Sequence, residues 1–202
     1  MAVKTDKSVF YHIPKTGGIW VKEAMRAGGL ELSRCRNKRV SHSFALKREH
    51  ATPDVVCEEE KAGRFSFCFV RGPVGWLRSF WCYRIKTGAL DPKFPLDGLW
   101  HGEFEPFVLN VLGAYPGGFV TKLYRFYVDD VDFVGRQERL ANDLMWALVL
   151  AGEQFDEQKL RATRWRNVSA ASPQLASLCQ LSTETEARVE AAESWVLDRF
   201  YV

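Results

Sequence analysis

Apolar positions gather into short runs early in the chain and recur at helical spacing later. The run Ser8-Val9-Phe10-Tyr11-His12-Ile13, closed by Pro14 and two glycines, predicts a buried strand. Behind it Trp20, Val21, Ala24 and Met25 recur every three or four residues until Gly28-Gly29, which predicts a helix with a glycine stop. Residues 30–64 are polar, with short helices expected around Phe44-Ala45-Leu46 and Val55-Val56. Phe65-Ser66-Phe67-Cys68-Phe69-Val70 reads as a second strand, ended sharply by Arg71-Gly72-Pro73. Pro73 suits a first helical position, and Leu77, Phe80, Trp81 and Arg84 carry that helix to about Lys86.

Glycine and proline punctuate residues 87–102, a surface excursion expected to border a cleft. Phe104 to Leu112 reads as helix, and Val131-Asp132-Phe133-Val134 as a third strand that ends at Gly135. A helix from Glu138 to Leu150 follows, with Leu140, Leu144, Ala147 and Leu148 on one face. Thr183 and Glu186 have the spacing of a capping box, opening one terminal helix whose stripe is Val189, Ala192, Val196, Leu197 and Phe200. Strands alternating with helices predict an α/β fold, a parallel β-sheet flanked by helices on both faces, as one domain over residues 1–202. In such sheets ligands bind at the carboxyl ends of the strands.

Composition adds boundaries to that picture. With 47% hydrophobic and 13% aromatic residues in 202, the chain has the apolar surface for a well-buried core. Its 28 basic residues are interspersed among 25 acidic ones for a net charge of +3, which argues against a nucleic-acid partner. Basic residues thicken locally in Arg34-Cys35-Arg36-Asn37-Lys38-Arg39 and Arg161-Ala162-Thr163-Arg164-Trp165-Arg166, either solvated faces or walls for an anion. Five cysteines without a CxxC pair signal neither a disulfide framework nor a zinc site and fit a reducing compartment. The first residues are polar and no long apolar run occurs, so a cytoplasmic protein without signal or membrane span is expected.

The chemistry concentrates at two strand ends. His12-Ile13-Pro14-Lys15-Thr16-Gly17-Gly18-Ile19-Trp20 joins strand to helix through two glycines, beside a lysine and a hydroxyl. Glycines let backbone amides turn toward an anion, a helix N-terminus adds positive potential, and Lys15 can reach a phosphate oxygen. The spacing is not that of a Walker A loop. At the second strand end, Arg71 and Ser79 provide a planar fork of donors and a hydroxyl about two helical turns apart, a pair suited to a phosphate dianion.

VFYHIPKTGG followed by FVRGPVGWLRS resembles the 5'-phosphosulfate loop and 3'-phosphate segment of the sulfotransferase family that includes carbohydrate sulfotransferases. VDFVGRQERL, from Val131 to Leu140, resembles a further segment of that family, and Arg166-Asn167-Val168-Ser169 resembles its loop over the nucleotide. The resemblance implies a P-loop-like sulfotransferase fold. It implies transfer of a sulfuryl group from 3'-phosphoadenosine 5'-phosphosulfate to a hydroxyl of a glycan or small molecule, without a metal. The implied donor contacts are Lys15, Thr16, Gly17, Gly18, Ile19, Trp20, Arg71, Ser79, Asn167 and Ser169. Ile19 stands where the family has Thr, Gly72 where it has Asp or Asn, and Trp76 where Arg is common.

Lys15 is the expected stabiliser of the leaving phosphate oxygen. For the base, the resemblance points to His42 in Ser41-His42-Ser43-Phe44-Ala45, with His50 or a carboxylate such as Glu49 or Glu103 as alternatives. Trp81, Trp100, Trp165 and Tyr83 are either stacking surfaces for a base or sugar, or core. Two other readings stay open: a P-loop kinase, which would need magnesium, and a catalytically silent nucleotide-binding module.

Overall fold

The computed structural model describes residues 2–38, 50–88, 94–165 and 173–202. From the N-terminus the elements run β1 (Val3–Lys4), β2 (Ser8–Tyr11), α1 (Gly18–Ala27), β3 (Ser33–Arg34), α2 (Glu58–Lys61), β4 (Phe65–Val70) and α3 (Pro73–Thr87). They continue through α4 (Phe104–Ala114), α5 (Phe119–Arg125), β5 (Phe133–Arg136), α6 (Leu140–Leu150), α7 (Glu157–Arg161), α8 (Pro173–Leu178), α9 (Thr183–Ala192) and α10 (Ser194–Phe200). The chain divides into two compact units, one of Met1–Arg71 with Tyr124–Arg166 and one of Gly72–Leu123 with Asn167–Val202.

The first unit carries the sheet. Among the described residues its strands take the order β3-β1-β2-β4-β5. β2, β4 and β5 run parallel, with Tyr11 opposite Cys68 and Val70 opposite Arg136, so their carboxyl ends share one edge. Alternation turns Phe10, Phe67 and Phe69 to one face, where they meet Trp20, Val21 and Met25 of α1, Leu140, Leu144 and Leu148 of α6, and Leu160 of α7. Burying each of these large side chains is worth about 1.5–3 kcal/mol, which fixes α1 against the sheet just behind its glycine turn. Val9, Tyr11, Cys68 and Val70, facing the other way, are equally buried. The chain is an α/β protein with a five-stranded sheet flanked by helices.

The second unit is helical and aromatic. Trp76 and Phe80 of α3 stack with ring centroids 5.7 Å apart, and Phe80 meets Phe107 of α4 at 5.8 Å. Arg84 pairs with Asp97 at 2.7 Å, both side chains nearly enclosed, and its guanidinium lies 5.0 Å from the Phe80 ring. Glu193, between α9 and α10, is buried and accepts hydrogen bonds from the amides of Val120 and Thr121 in the first turn of α5, at 2.8 and 2.7 Å.

Several sequence expectations are corrected. The sheet is mixed, because β1 pairs antiparallel with β2 on one side and with β3 on the other. The turn from β1 to β2 is held by the Thr5 hydroxyl, which accepts from the amides of Lys7 and Ser8 at 3.2 and 2.9 Å; strands as short as β1 and β3 have no readable period. No helix forms at Val55-Val56: residues 53–55 are a turn, and Val56 bridges antiparallel to Asn37. Phe44-Ala45-Leu46 lies outside the described residues. β5 runs two residues past Val134, through Gly135. A Cβ there would stand 2.5 Å from the Phe69 ring, so this glycine serves packing inside the strand and does not end it.

At the C-terminus the cap is Ser182, one residue before Thr183, with its hydroxyl accepting from the Thr185 amide at 3.2 Å. The expected single helix breaks at Glu193 into α9 and α10, where that carboxylate turns to α5. α5 itself and the short α7 and α8 add helices the periodicity did not predict. Among the described residues no helix is long and apolar enough to cross a membrane.

Candidate functional site

The carboxyl edge of β2 leads into a tight loop whose shape follows from its residues. Pro14 to Gly17 form turns, and Lys15 and Gly17 both adopt positive φ, 68° and 87°. For Gly17 this costs nothing; for Lys15 it is a strained conformation that concentrates at ligand-holding loops. Thr16 is buried and its hydroxyl donates to the Ile13 carbonyl at 2.8 Å, so within the loop it holds shape. Gly17 is the N-cap of α1, no side chain caps it, and the first turn of the helix holds no acidic residue. That leaves the positive end of the helix without a built-in counter-charge.

Both glycines are demanded by close neighbours. A Cβ at Gly17 would meet Leu140 Cδ2 at 2.6 Å, and one at Gly18 would meet His12 Cδ2 at 1.9 Å. His12 is buried, and burial followed by the charge of nearby His50 drives its pKa well below the ordinary imidazole value. The two imidazoles meet edge to face at 4.9 Å, with His50 Nδ1 3.1 Å from the His12 carbonyl. Tyr127 donates to the His50 carbonyl at 2.7 Å and so holds its backbone in place.

Arg71 follows β4 directly. Its amide donates to the Tyr124 hydroxyl at 2.9 Å, and that hydroxyl donates back to the Arg71 carbonyl at 2.8 Å. With its backbone gripped in this way, Arg71 extends Nη1 to the Lys15 carbonyl at 3.4 Å. The two segments singled out in the sequence therefore meet, cation beside glycine loop, at one sheet edge. Arg136, in register with Val70, ends the third parallel strand at the same edge, its amide donating to Asp143 at 2.7 Å.

The other expected site residues divide. Ile19 is 45% exposed on the first turn of α1. Trp20 is buried in the core, its Nε1 donating to the Thr163 carbonyl at 3.1 Å and its ring stacked 4.6 Å from that of the half-exposed Trp165. Ser79 is buried on α3 in the second unit, whereas Arg71 closes a segment of the first. Trp81 is core, stacked 6.1 Å from Trp100 and donating to the His101 carbonyl at 3.0 Å. Glu103 is exposed at the N-cap of α4, and its amide donates to His101 Nδ1 at 3.0 Å. His42, Glu49, Asn167 and Ser169 lie outside the described residues.

Sequence reasoning missed Tyr124 and passed over Arg136. Nothing local marks Tyr124, since its partner is 53 residues away. Arg136 sits inside VDFVGRQERL, and its place after a strand was the available signal. Among the described residues no cluster of three His, Cys, Asp or Glu side chains is arranged to hold a metal ion.

No family model, curated protein or solved structure matches this chain. The functional reading accordingly stands on the loop chemistry and the geometry of the sheet edge.

Proposed function

We propose that the protein is a sulfotransferase of P-loop-like fold that moves a sulfuryl group from 3'-phosphoadenosine 5'-phosphosulfate to a hydroxyl of a glycan or small molecule. The observation that carries the reading is the approach of the Arg71 guanidinium to the Lys15 carbonyl across adjacent parallel strands. One ligand with anionic groups at both ends of a nucleoside needs two such cradles side by side, and a single glycine loop does not supply them.

In this mechanism the amides at the start of α1 and the Lys15 ammonium hold the phosphosulfate, and Arg71 holds the 3'-phosphate. The acceptor oxygen attacks sulfur in line, the bond from sulfur to the bridging oxygen breaks, and Lys15 stabilises the charge that collects on the departing phosphate. The acceptor's proton passes to a base. His42 is assigned that role from the sequence pattern. His50 is the second reading, favoured by its ring standing against the His12 end of β2.

Thermal unfolding with 3'-phosphoadenosine 5'-phosphate, ADP and ATP, each with and without magnesium, tests the proposal. A saturating bisphosphate should raise Tm without magnesium, because a ligand at 100 times its Kd adds about 2.7 kcal/mol to the folded state. A shift only with ATP and magnesium would replace this reading by a kinase. Bisphosphate binding without sulfate transfer to any hydroxyl would leave a silent nucleotide-binding module, and no shift with any nucleotide would reject all three.

A further inference from the structure

Away from the sheet edge, the second unit brings two of the five cysteines together. Cys82, in the middle of α3, and Cys179, just after α8, lie with sulfurs 3.3 Å apart in a thiol hydrogen bond, 97 positions apart in the chain. Both are almost fully enclosed, and both are free thiols, as are Cys35, Cys57 and Cys68. A disulfide needs about 2.05 Å between sulfurs, so closing the bond asks for a shift of roughly 1.3 Å from the observed 3.3 Å.

We propose that Cys82 and Cys179 are a peroxide-oxidisable dithiol whose disulfide ties α3 to the C-terminal segment of the chain. One sulfur, as thiolate, attacks hydrogen peroxide; the O–O bond breaks, and the departing hydroxide takes up the displaced proton as water. The second sulfur then displaces hydroxide from the sulfenic sulfur, forms the S–S bond, and its proton leaves with that hydroxide as a second water. Two thiols and one peroxide thus become one disulfide and two waters. Enclosure selects a small oxidant over a tripeptide disulfide, which cannot reach either sulfur. Burial, and then the hydrogen bond with Cys82, push the Cys179 thiol up to about 12, so reaction is slow and cumulative. The tie closes a long loop of the unfolded chain, and the oxidised protein should therefore melt at a higher temperature. None of this depends on the nucleotide reading.

The test is thiol mapping of the full chain after exposure to hydrogen peroxide, catalase quench, denaturation and alkylation. The expected result is one linked pair of peptides bearing Cys82 and Cys179, lighter by two hydrogens, three alkylated cysteines remaining, and reversal by dithiothreitol. The linkage should persist in a Cys35→Ser, Cys57→Ser double variant and vanish in Cys82→Ala. Recovery of Cys82 and Cys179 each alkylated, each separately over-oxidised, or linked to Cys35 or Cys57 would overturn the proposal. Because the parent chain alone distinguishes these results, poor folding of Cys82→Ala leaves the test decisive.

Discussion

The imidazole of His12 fills the space a side chain at Gly18 would need: a Cβ there would stand 1.9 Å from His12 Cδ2 and 2.4 Å from Nε2. The ring cannot swing aside cheaply, because it is buried with the His50 imidazole 4.9 Å away. Gly18→Ala should therefore cost about 1–3 kcal/mol by overpacking and displace the amides at the start of α1. Gly113, on α4, is the control, since a Cβ there would meet nothing within 4 Å. Gly113→Ala should be neutral or stabilise by up to about 1 kcal/mol. Differential scanning calorimetry of the two variants, with and without 3'-phosphoadenosine 5'-phosphate, checks both. Equal melting temperatures would mean the His12 ring is not held where we place it.

Lys15 adopts φ 68°, a left-handed conformation that glycine takes without cost. Lys15→Gly should consequently fold at least as stably as the parent, gaining up to about 1 kcal/mol, and Lys15→Ala should melt below Lys15→Gly. Sulfuryl transfer by the glycine variant should nonetheless fall by roughly 10² to 10³ with the loss of one preorganised cation. Melting curves paired with a radiolabelled sulfate transfer assay read both effects. Transfer at the parent rate by a stable Lys15→Gly protein would remove Lys15 from the leaving-group role.

These two residues mark how much the chain discloses locally. The strands over Ser8–Tyr11 and Phe65–Val70 were legible because their apolar runs are continuous and end at glycine and proline. Glycine pairing beside Lys15 made the loop legible for the same reason: its chemistry is local. What escaped depends on distant partners. Tyr124 grips Arg71 from 53 residues away, Gly135 is needed by a Phe69 ring on another strand, and Glu193 breaks a periodic helix to reach α5. Trp20 carried two signals, a helical apolar stripe and a place beside the phosphate loop. The stripe prevailed, because its indole packs with Val21 and Ala24 in the core.

His12 also sets a pH dependence. Burial and the neighbouring His50 hold its pKa well below 6.5, with Lys22 and Lys15 adding smaller contributions in the same direction. In the unfolded chain the imidazole takes a proton near pH 6.5, while in the folded protein it does not. The unfolded state then binds more protons, so stability is fully present above that pH and is lost as pH falls toward the folded value. One such group accounts for at most about 1.4 kcal/mol per pH unit. Melting temperature measured from pH 7.5 down to 5 should drop more steeply for the parent than for His12→Gln. Parallel slopes would show that the imidazole titrates alike in both states.

Glu193 poses the opposite case in the second unit. Its carboxylate accepts from the amides of Val120 and Thr121 at 2.8 and 2.7 Å and from the Thr121 hydroxyl at 2.7 Å, satisfying the first turn of α5 from outside that helix. Gly118, at φ 83°, makes room for it, since a Cβ there would stand 2.4 Å from Glu193 Oε2. Glu193→Ala leaves those buried donors unsatisfied and should cost about 2–4 kcal/mol, read as a lower urea midpoint at unchanged m-value. Burial outweighs the donated hydrogen bonds and raises the carboxyl pKa above its ordinary value. The folded state therefore binds the proton more tightly than the unfolded chain does. The group's contribution is fully present below the unfolded pKa of about 4.3 and declines as pH rises through the folded one. The amide of Glu193→Gln cannot ionise, so urea midpoints of parent and Glu193→Gln should diverge with rising pH from 4 upward, the parent losing ground. Midpoints that stay a constant distance apart would mean the carboxyl titrates as it does in water, and that its burial among the α5 donors is not what shapes it.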